Sequence, residues 1–244
     1  MILDTESVPD SAFILAGGFG TRLRGVIDGL PKPMAPINGK PFLEYLIHFF
    51  KRSGIKKIVL LTGYLHESIE SYFRNGSHLG IQIEYSIEPS ALGTAGALRN
   101  ALSFAENAPL FFVNGDTFFP VNLADLYKVH RKTNAMITMA LKQMDDCRRY
   151  GMVDVDCQGK VVSFKEKQSD SICSGLINGG IYLVNPSVIQ KIPQGVSCSF
   201  EKEILPYEKQ LYGVPSTADF IDIGIPEDYQ KACDLIPQLM NSLH

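Results

Sequence analysis

Residues 12–36 read AFILAGGFGTRLRGVIDGLPKPMAP. An apolar run ends at Ala16 and gives way to Gly17-Gly18-Phe19-Gly20, then to Arg22, and then to Lys32 between Pro31 and Pro33. The unbroken apolar character predicts a strand over Ala12–Ala16 covered on both faces, as in a parallel sheet. Glycines past its end let the backbone approach a ligand closely and adopt positive φ. Their amides can then face phosphate oxygens or a base edge. Arg brings a fork of donors and Lys a point charge, so two cations beside this loop suit a triphosphate. A bare GGxG reads equally as a surface loop with solvated charges. The conjunction of strand, glycines, Arg22 and Pro-Lys-Pro favours the cradle.

Two commoner glycine motifs fail here. A dinucleotide fingerprint needs GxGxxG, and after Gly18 and Gly20 the third position is Leu23. A P-loop needs GxxxxGK[ST], but Gly39-Lys40 is followed by Pro41, and Met34 stands where the first glycine belongs.

Outward from this segment the first half alternates apolar runs with amphipathic stretches. Strands are predicted over 57–62, 81–85 and 110–113, and helices over 41–53, 66–73 and 97–105. That βα alternation predicts an α/β sandwich. Strands at 135–141, 152–155, 160–164 and 180–184 follow with few helices between them, which reads as antiparallel additions to the sheet edge or a small lobe. A helix over 200–207, a strand over 220–223 and a helix opening at Pro226-Glu227-Asp228 complete the pattern. No repeat or linker interrupts it. One domain over 1–244 is expected, with residues 1–11 a flexible extension.

The chain has 244 residues, 45% of them hydrophobic, and a formal net charge of −3. It is long enough to bury a core. Without a basic stripe a general nucleic-acid binder is disfavoured. The start MILDTESVPDS lacks the basic and apolar parts of a secretory signal, and no apolar stretch has the length of a membrane span. Cys147, Cys157, Cys173, Cys198 and Cys233 are scattered and form no CxxC pair, which points to free thiols in a reducing cytoplasm.

LAGGFGTRLR followed by LPKPMAPINGKPFLEY closely resembles the signature of the sugar-1-phosphate nucleotidylyltransferases. The resemblance continues through EPSALGTAGAL, FVNGDTF, RYGMVDVD, FKEK, LINGGIYLV and FIDIGIPEDY, so it spans almost the whole chain. It implies a three-layer α/β/α Rossmann-like fold with a mixed, mostly parallel sheet. It also implies a Mg²⁺-dependent transfer from a nucleoside triphosphate to a sugar 1-phosphate, with release of pyrophosphate. Many relatives assemble through their later segments, which makes a homo-oligomer an expectation. Within the family, LPKPMAPINGKPF, NGDTFF, MALKQM and GLINGGIYL most resemble the D-glycero-α-D-manno-heptose 1-phosphate guanylyltransferases, which use GTP. Mannose 1-phosphate guanylyltransferase, uridylyl and thymidylyl relatives and a nucleotide-binding regulatory module stay open alternatives.

The resemblance assigns roles to particular residues. Leu15, Ala16, Gly17, Gly18, Gly20 and Thr21 meet the nucleotide, with Gly93 and Thr94 of the second glycine loop opposite. Glu88, just upstream, is a weaker candidate for the sugar or base. Asp116 follows a strand, where open α/β sheets bind ligands, and a hard carboxylate there suits Mg²⁺. By resemblance Asp116 and Asp222 hold the metal jointly. Gly151 and Asn178 line the sugar pocket, Glu166 binds sugar hydroxyls and Lys167 the sugar phosphate. Taken alone, each of these residues also reads as an ordinary turn, packing or surface position. A phosphate nucleophile is already anionic, so catalysis reduces to positioning and charge neutralisation by Arg22, Lys32 and Lys167. Lys167→Ala and Asp116→Ala are each expected to lower turnover by about 10²–10³ without loss of fold. Steady-state pyrophosphate release and circular dichroism on the purified variants check both.

Overall fold

The computed structural model describes residues 8–18, 29–165 and 173–242. In chain order its elements are β1 (Ser11–Leu15), β2 (Pro36–Ile37), β3 (Lys40–Pro41), α1 (Phe42–Arg52), β4 (Lys57–Thr62), α2 (His66–Phe73), β5 (Gln82–Ile87) and α3 (Gly93–Asn100). There follow β6 (Leu110–Asn114), β7 (Thr117–Phe118), α4 (Leu123–Thr133), β8 (Ile137–Met144), β9 (Met152–Val155), β10 (Val161–Lys165) and β11 (Gly175–Val184). The chain ends with α5 (Pro186–Lys191), β12 (Leu211–Ser216), β13 (Ile221–Asp222) and α6 (Pro226–Ser242).

The main sheet has nine strands, with β10-β9-β11-β6-β1-β4-β5 as its path and β8 and β12 added beside β11. The pairs β6–β1, β1–β4, β4–β5 and β8–β12 are parallel. Only β11 and β10 run against the other strands, so the sheet is mixed and mostly parallel. This is the expected fold class. Its layers follow from the period-two geometry of a strand. Ala12, Ile14, Ile58, Leu60, Phe111 and Val113 face one core, under α1, α2, α4 and α6. Phe13, Val59, Leu61, Leu110 and Phe112 face the other, under α3 and α5. Each strand is apolar on both faces because each face carries helices.

The second half is richer than its sequence pattern suggests. Helix α4 was not expected, although Leu123, Leu126 and His130 are its buried positions and Asn122 caps it by accepting from the Ala124 amide at 2.9 Å. Strand β12 was hidden by Gly213 and Pro215, both depleted in strands. As a strand it pairs with β8, and its other side meets the Gly159–Lys160 turn only through Tyr212 and Gly213, so Pro215, beyond that contact, sits on an edge where its missing N–H costs little. The helix expected over 97–105 starts earlier, at Gly93, and ends in a 3-10 turn over Ala101–Phe104. The stretch 200–207 is a π-helical segment, Phe200–Ile204, followed by a 3-10 turn, Leu205–Tyr207, which places Pro206 in the new turn. At the N-terminal side, Ser11 already belongs to β1, and the Asp10 carbonyl accepts from the Lys56 amide at 2.7 Å.

His130 is buried between α4 and β8, with Nδ1 2.9 Å from Thr138 Oγ1. Burial, with Arg131 nearby, pushes its pKa down to about 4. The unfolded chain titrates near 6.5. A depressed histidine contributes fully above about pH 6.5 and loses that contribution as pH falls towards about 4. Urea unfolding from pH 7 to 4 is expected to show an acid loss approaching 3 kcal/mol, and His130→Gln is expected to flatten it.

Candidate active site

Four parallel strands end on one side of the sheet, and the chain beyond each end lines a single cleft of about 570 Å³. β1 supplies Leu15, Gly17 and Gly18, β4 supplies Gly63 and Tyr64, β5 supplies Glu88 to Ala91, and β6 supplies Asn114, Gly115 and Asp116. β4 lies on one side of β1 and β6 on the other, so the cleft straddles the switch point where open α/β sheets take ligands.

Close backbone approach shapes the floor. A Cβ at Gly17 would stand 3.1 Å from the Gly63 nitrogen and 3.3 Å from Glu88 Oε1. A Cβ at Gly18 would meet nothing within 4 Å, so that residue borders open space. Ala16 is fully buried, its amide donating to the Leu61 carbonyl at 2.7 Å. It underlies the cleft rather than lining it.

Lys32 begins a 3-10 turn, Lys32–Met34, between buried Pro31 and Pro33. The prolines fix the turn and aim the lysine inward. Its Nζ stands 2.6 Å from Asp116 Oδ2 and 3.7 Å from Asp222 Oδ1. The two carboxylates meet because β7 and β13 pair antiparallel, with Asp222 opposite Thr117. The Ile223 amide adds a bond to the Asp116 carbonyl at 3.0 Å. Burial, and then the neighbouring Asp116, raise the Asp222 pKa, while Lys32 and Arg149 oppose them. Asp222 Oδ1 is buried without a hydrogen-bond partner. Two adjacent carboxylates, one with an unsatisfied buried oxygen, fit a hard divalent cation that completes its shell from phosphates and water. Among the described residues no group of three His, Cys, Asp or Glu side chains offers a closed protein cage.

The glycine loop before α3 forms the opposite wall. Gly93 takes φ +69°, and a Cβ there would lie 2.6 Å from the Cys198 carbonyl oxygen. The Ala95 amide is already engaged by that carbonyl at 2.9 Å. The Thr94 hydroxyl donates to Glu201 Oε2 at 2.8 Å and accepts from the Phe200 amide at 2.8 Å. Thr94 therefore borders the cleft while tying down Glu201, another lining residue. Glu88 Oε2 accepts from the Leu92 amide at 2.9 Å, and burial raises the Glu88 pKa.

Gly151 and Asn178 meet each other, with the Asn178 amide donating to the Gly151 carbonyl at 3.0 Å. The Asn178 side chain donates to Tyr182 Oη at 2.6 Å and accepts from the Gly180 amide at 3.1 Å. Asn178 belongs to the irregular part of β11 and Gly151 directly precedes β9, and both lie outside the cleft lining. Gly20, Thr21, Arg22, Glu166 and Lys167 lie outside the described residues. Tyr64, Asn114 and Glu201 were not anticipated as lining residues. Asn114 and Tyr64 had a legible signal, since Asn114 ends an apolar strand and Tyr64 stands two residues past one. Glu201 had none, because its place depends on a contact with distant Thr94.

The profile described as Nucleotidyl transferase matches residues 11–238. The chain belongs to that family. It is 46% identical over 224 residues to the D-glycero-alpha-D-manno-heptose 1-phosphate guanylyltransferase of Aneurinibacillus thermoaerophilus, covering 91% of this chain and 96% of the relative. It is 46% identical over 220 residues to the enzyme of that name from Campylobacter jejuni, covering 89% and 96%. The crystal structure of HddC from Yersinia pseudotuberculosis superposes with a TM-score of 0.83 at 34% identity, covering 93% of this chain and 99% of HddC. HddC has also been crystallised with GMP-PN. The protein is a sugar-1-phosphate nucleotidyltransferase.

Gly115 tests how tightly the floor is built. A Cβ there would lie 1.8 Å from the Leu15 carbonyl oxygen, and backbone at that range cannot yield without moving β1 or Asp116. Gly115→Ala is expected to destabilise the protein by about 1–3 kcal/mol and to depress turnover further than that loss explains. Urea unfolding with steady-state kinetics on the same preparation separates the two effects.

Proposed function

We propose that this enzyme transfers the guanylyl group of GTP to D-glycero-α-D-manno-heptose 1-phosphate, giving GDP-heptose and pyrophosphate for surface glycan synthesis. The observation that carries the reaction is Lys32 set between Asp116 and Asp222 on the floor of a cleft at the strand ends. A sugar-phosphate oxygen forms the new bond to the α-phosphorus, and the bond from that phosphorus to the bridging oxygen of pyrophosphate breaks. No general base is needed, because the nucleophile is already an anion.

The chain's own work is positioning and compensation of charge. Gly17 and Gly18 admit the triphosphate close to the backbone. Lys32, whose side chain is mostly buried, is poised to neutralise phosphate charge near the reacting centre. Arg22 and Lys167 are proposed as the further cations, for the triphosphate and the attacking phosphate, with Glu166, Gly151 and Asn178 at the sugar. Asp116 and Asp222 are proposed to hold Mg²⁺, which when bound offsets charge on the triphosphate and the departing pyrophosphate. The free state of all five thiols accords with action in the cytoplasm.

For the base, Glu88 supports guanine. Its carboxylate lines the cleft beside Gly17, with Oε2 shared with one backbone amide and Oε1 directed towards Gly17. An ionised carboxylate only accepts hydrogen bonds. Guanine offers N1–H and the N2 amino group side by side, whereas uracil and thymine offer one N–H between two carbonyls. For the sugar, the support is the similarity to the heptose enzymes.

A substrate panel tests the reading: GTP, ATP, UTP and dTTP against heptose, mannose and glucose 1-phosphates, following pyrophosphate. GTP with the heptose is the expected preferred pair. A preference for UTP or dTTP would overturn the guanylyl assignment, and nucleotide binding without pyrophosphate release would favour a regulatory module. Glu88→Gln is expected to cut kcat/KM for GTP by about 10–100-fold, the loss of one charge-assisted contact, and to narrow the gap to UTP.

A further inference from the structure

Asp222 divides its two carboxylate oxygens between two cations. Oδ1 faces Lys32 at 3.7 Å, and Oδ2 faces the Arg149 guanidinium at 3.9 Å. Lys32 belongs to the phosphate side of the cleft. Arg149 comes from the opposite direction, on the connection between β8 and β9.

Two further contacts hold that guanidinium in place. Its Nη1 donates to Asp228 Oδ2 in the first turn of α6. Asp228 is itself held by Lys231 Nζ at 3.1 Å. The guanidinium lies over the Tyr150 ring, 5.5 Å from its centre. Tyr150 packs edge-on to Phe220 at 5.4 Å, and Phe220 packs edge-on to Phe119 at 5.5 Å. This column starts at Arg149 and passes two residues before Asp222 and three residues after Asp116. The arginine is therefore fixed to the same framework as both acids.

We propose that Arg149 is a positioning residue for the metal carboxylate Asp222. Braced by Asp228 and the aromatic column, it attracts Oδ2 and so leaves Oδ1, the buried oxygen without a hydrogen-bond partner, turned towards the site. This rests on the reading of Asp116 and Asp222 as metal ligands. Groups that orient a metal ligand commonly alter metal affinity by about 10–100-fold when removed. Bare Coulomb attraction makes the opposite prediction, since deleting a cation near the site would tighten metal binding. The sign of the change therefore separates the two roles.

The test is a titration of Mn²⁺ into the whole protein with GTP and no sugar phosphate, with bound metal read by electron paramagnetic resonance. The Mg²⁺ concentration for half-maximal turnover is measured in parallel. Arg149→Met is expected to weaken Mn²⁺ binding by about tenfold and to raise the Mg²⁺ requirement in proportion. Asp228→Asn cuts the brace while leaving the arginine, and is expected to shift both in the same direction by less. Arg149→Lys is expected to recover only part of the loss, because an ammonium cannot span two carboxylates as a fork does. Unchanged or tighter Mn²⁺ binding in folded Arg149→Met and Asp228→Asn would overturn the proposal. Asp222→Asn separates the two levels. If it leaves Mn²⁺ binding intact, the metal reading itself fails. If it abolishes binding while the Arg149 and Asp228 variants bind normally, only the positioning role fails.

Discussion

The paired backbones of Thr117–Phe118 and Ile221–Asp222 are the constraint on which the site depends. They set two carboxylates from distant parts of the chain side by side at the end of β6. Like charges side by side repel, and a carboxylate as buried as Asp222 is expensive to desolvate unpaired. The ladder holds them together, and Lys32 and Arg149 offset their charge from two sides. The rigid parallel strands beneath make this arrangement firm. Gly115 shows how closely the parts are fitted, with the Leu15 carbonyl leaving no room for a Cβ there. A site that works by positioning needs this kind of support from the sheet rather than from loops alone.

Much of the fold was legible because its strands declare themselves. Continuous apolar runs at β1, β4 and β6 can be satisfied only by cover on both faces, and the two cores supply it. Segments that escaped the sequence pattern did so for local reasons. β12 contains Gly213 and Pro215, and its identity as a strand comes from pairing with β8 rather than from propensity. α4 spends one of its buried positions on His130, which breaks the apolar stripe.

The site was legible where it follows strand ends. Lys32, Asp116, Gly17 and Gly18 announce themselves by type and by place in the chain, and the structure brings all four to one cleft. Asp222 alone is a weak signal, since a two-residue strand has no periodicity to read. Its place beside Asp116 becomes visible only through Thr117, opposite it. Thr94, singled out by its glycine-loop context, also lines the cleft, where its hydroxyl is tied to Glu201 and Phe200. The contacts of Arg149 were invisible in the sequence because Asp222 and Asp228 lie far along the chain from it. Spacing in sequence cannot report a brace made by tertiary contacts.

The ladder between β7 and β13 also orders events during synthesis. A chain emerging N-terminus first can assemble β1, β4, β5 and β6, with Lys32 already facing Asp116, long before Asp222 has been made. In that interval the ion pair keeps Asp116 compensated inside the forming cleft. The forming cleft still lacks its second acid, and the segment that carries β13 brings it in. The pairing of the two acids thus belongs to a late contact between segments far apart in the chain, made on a sheet already in place.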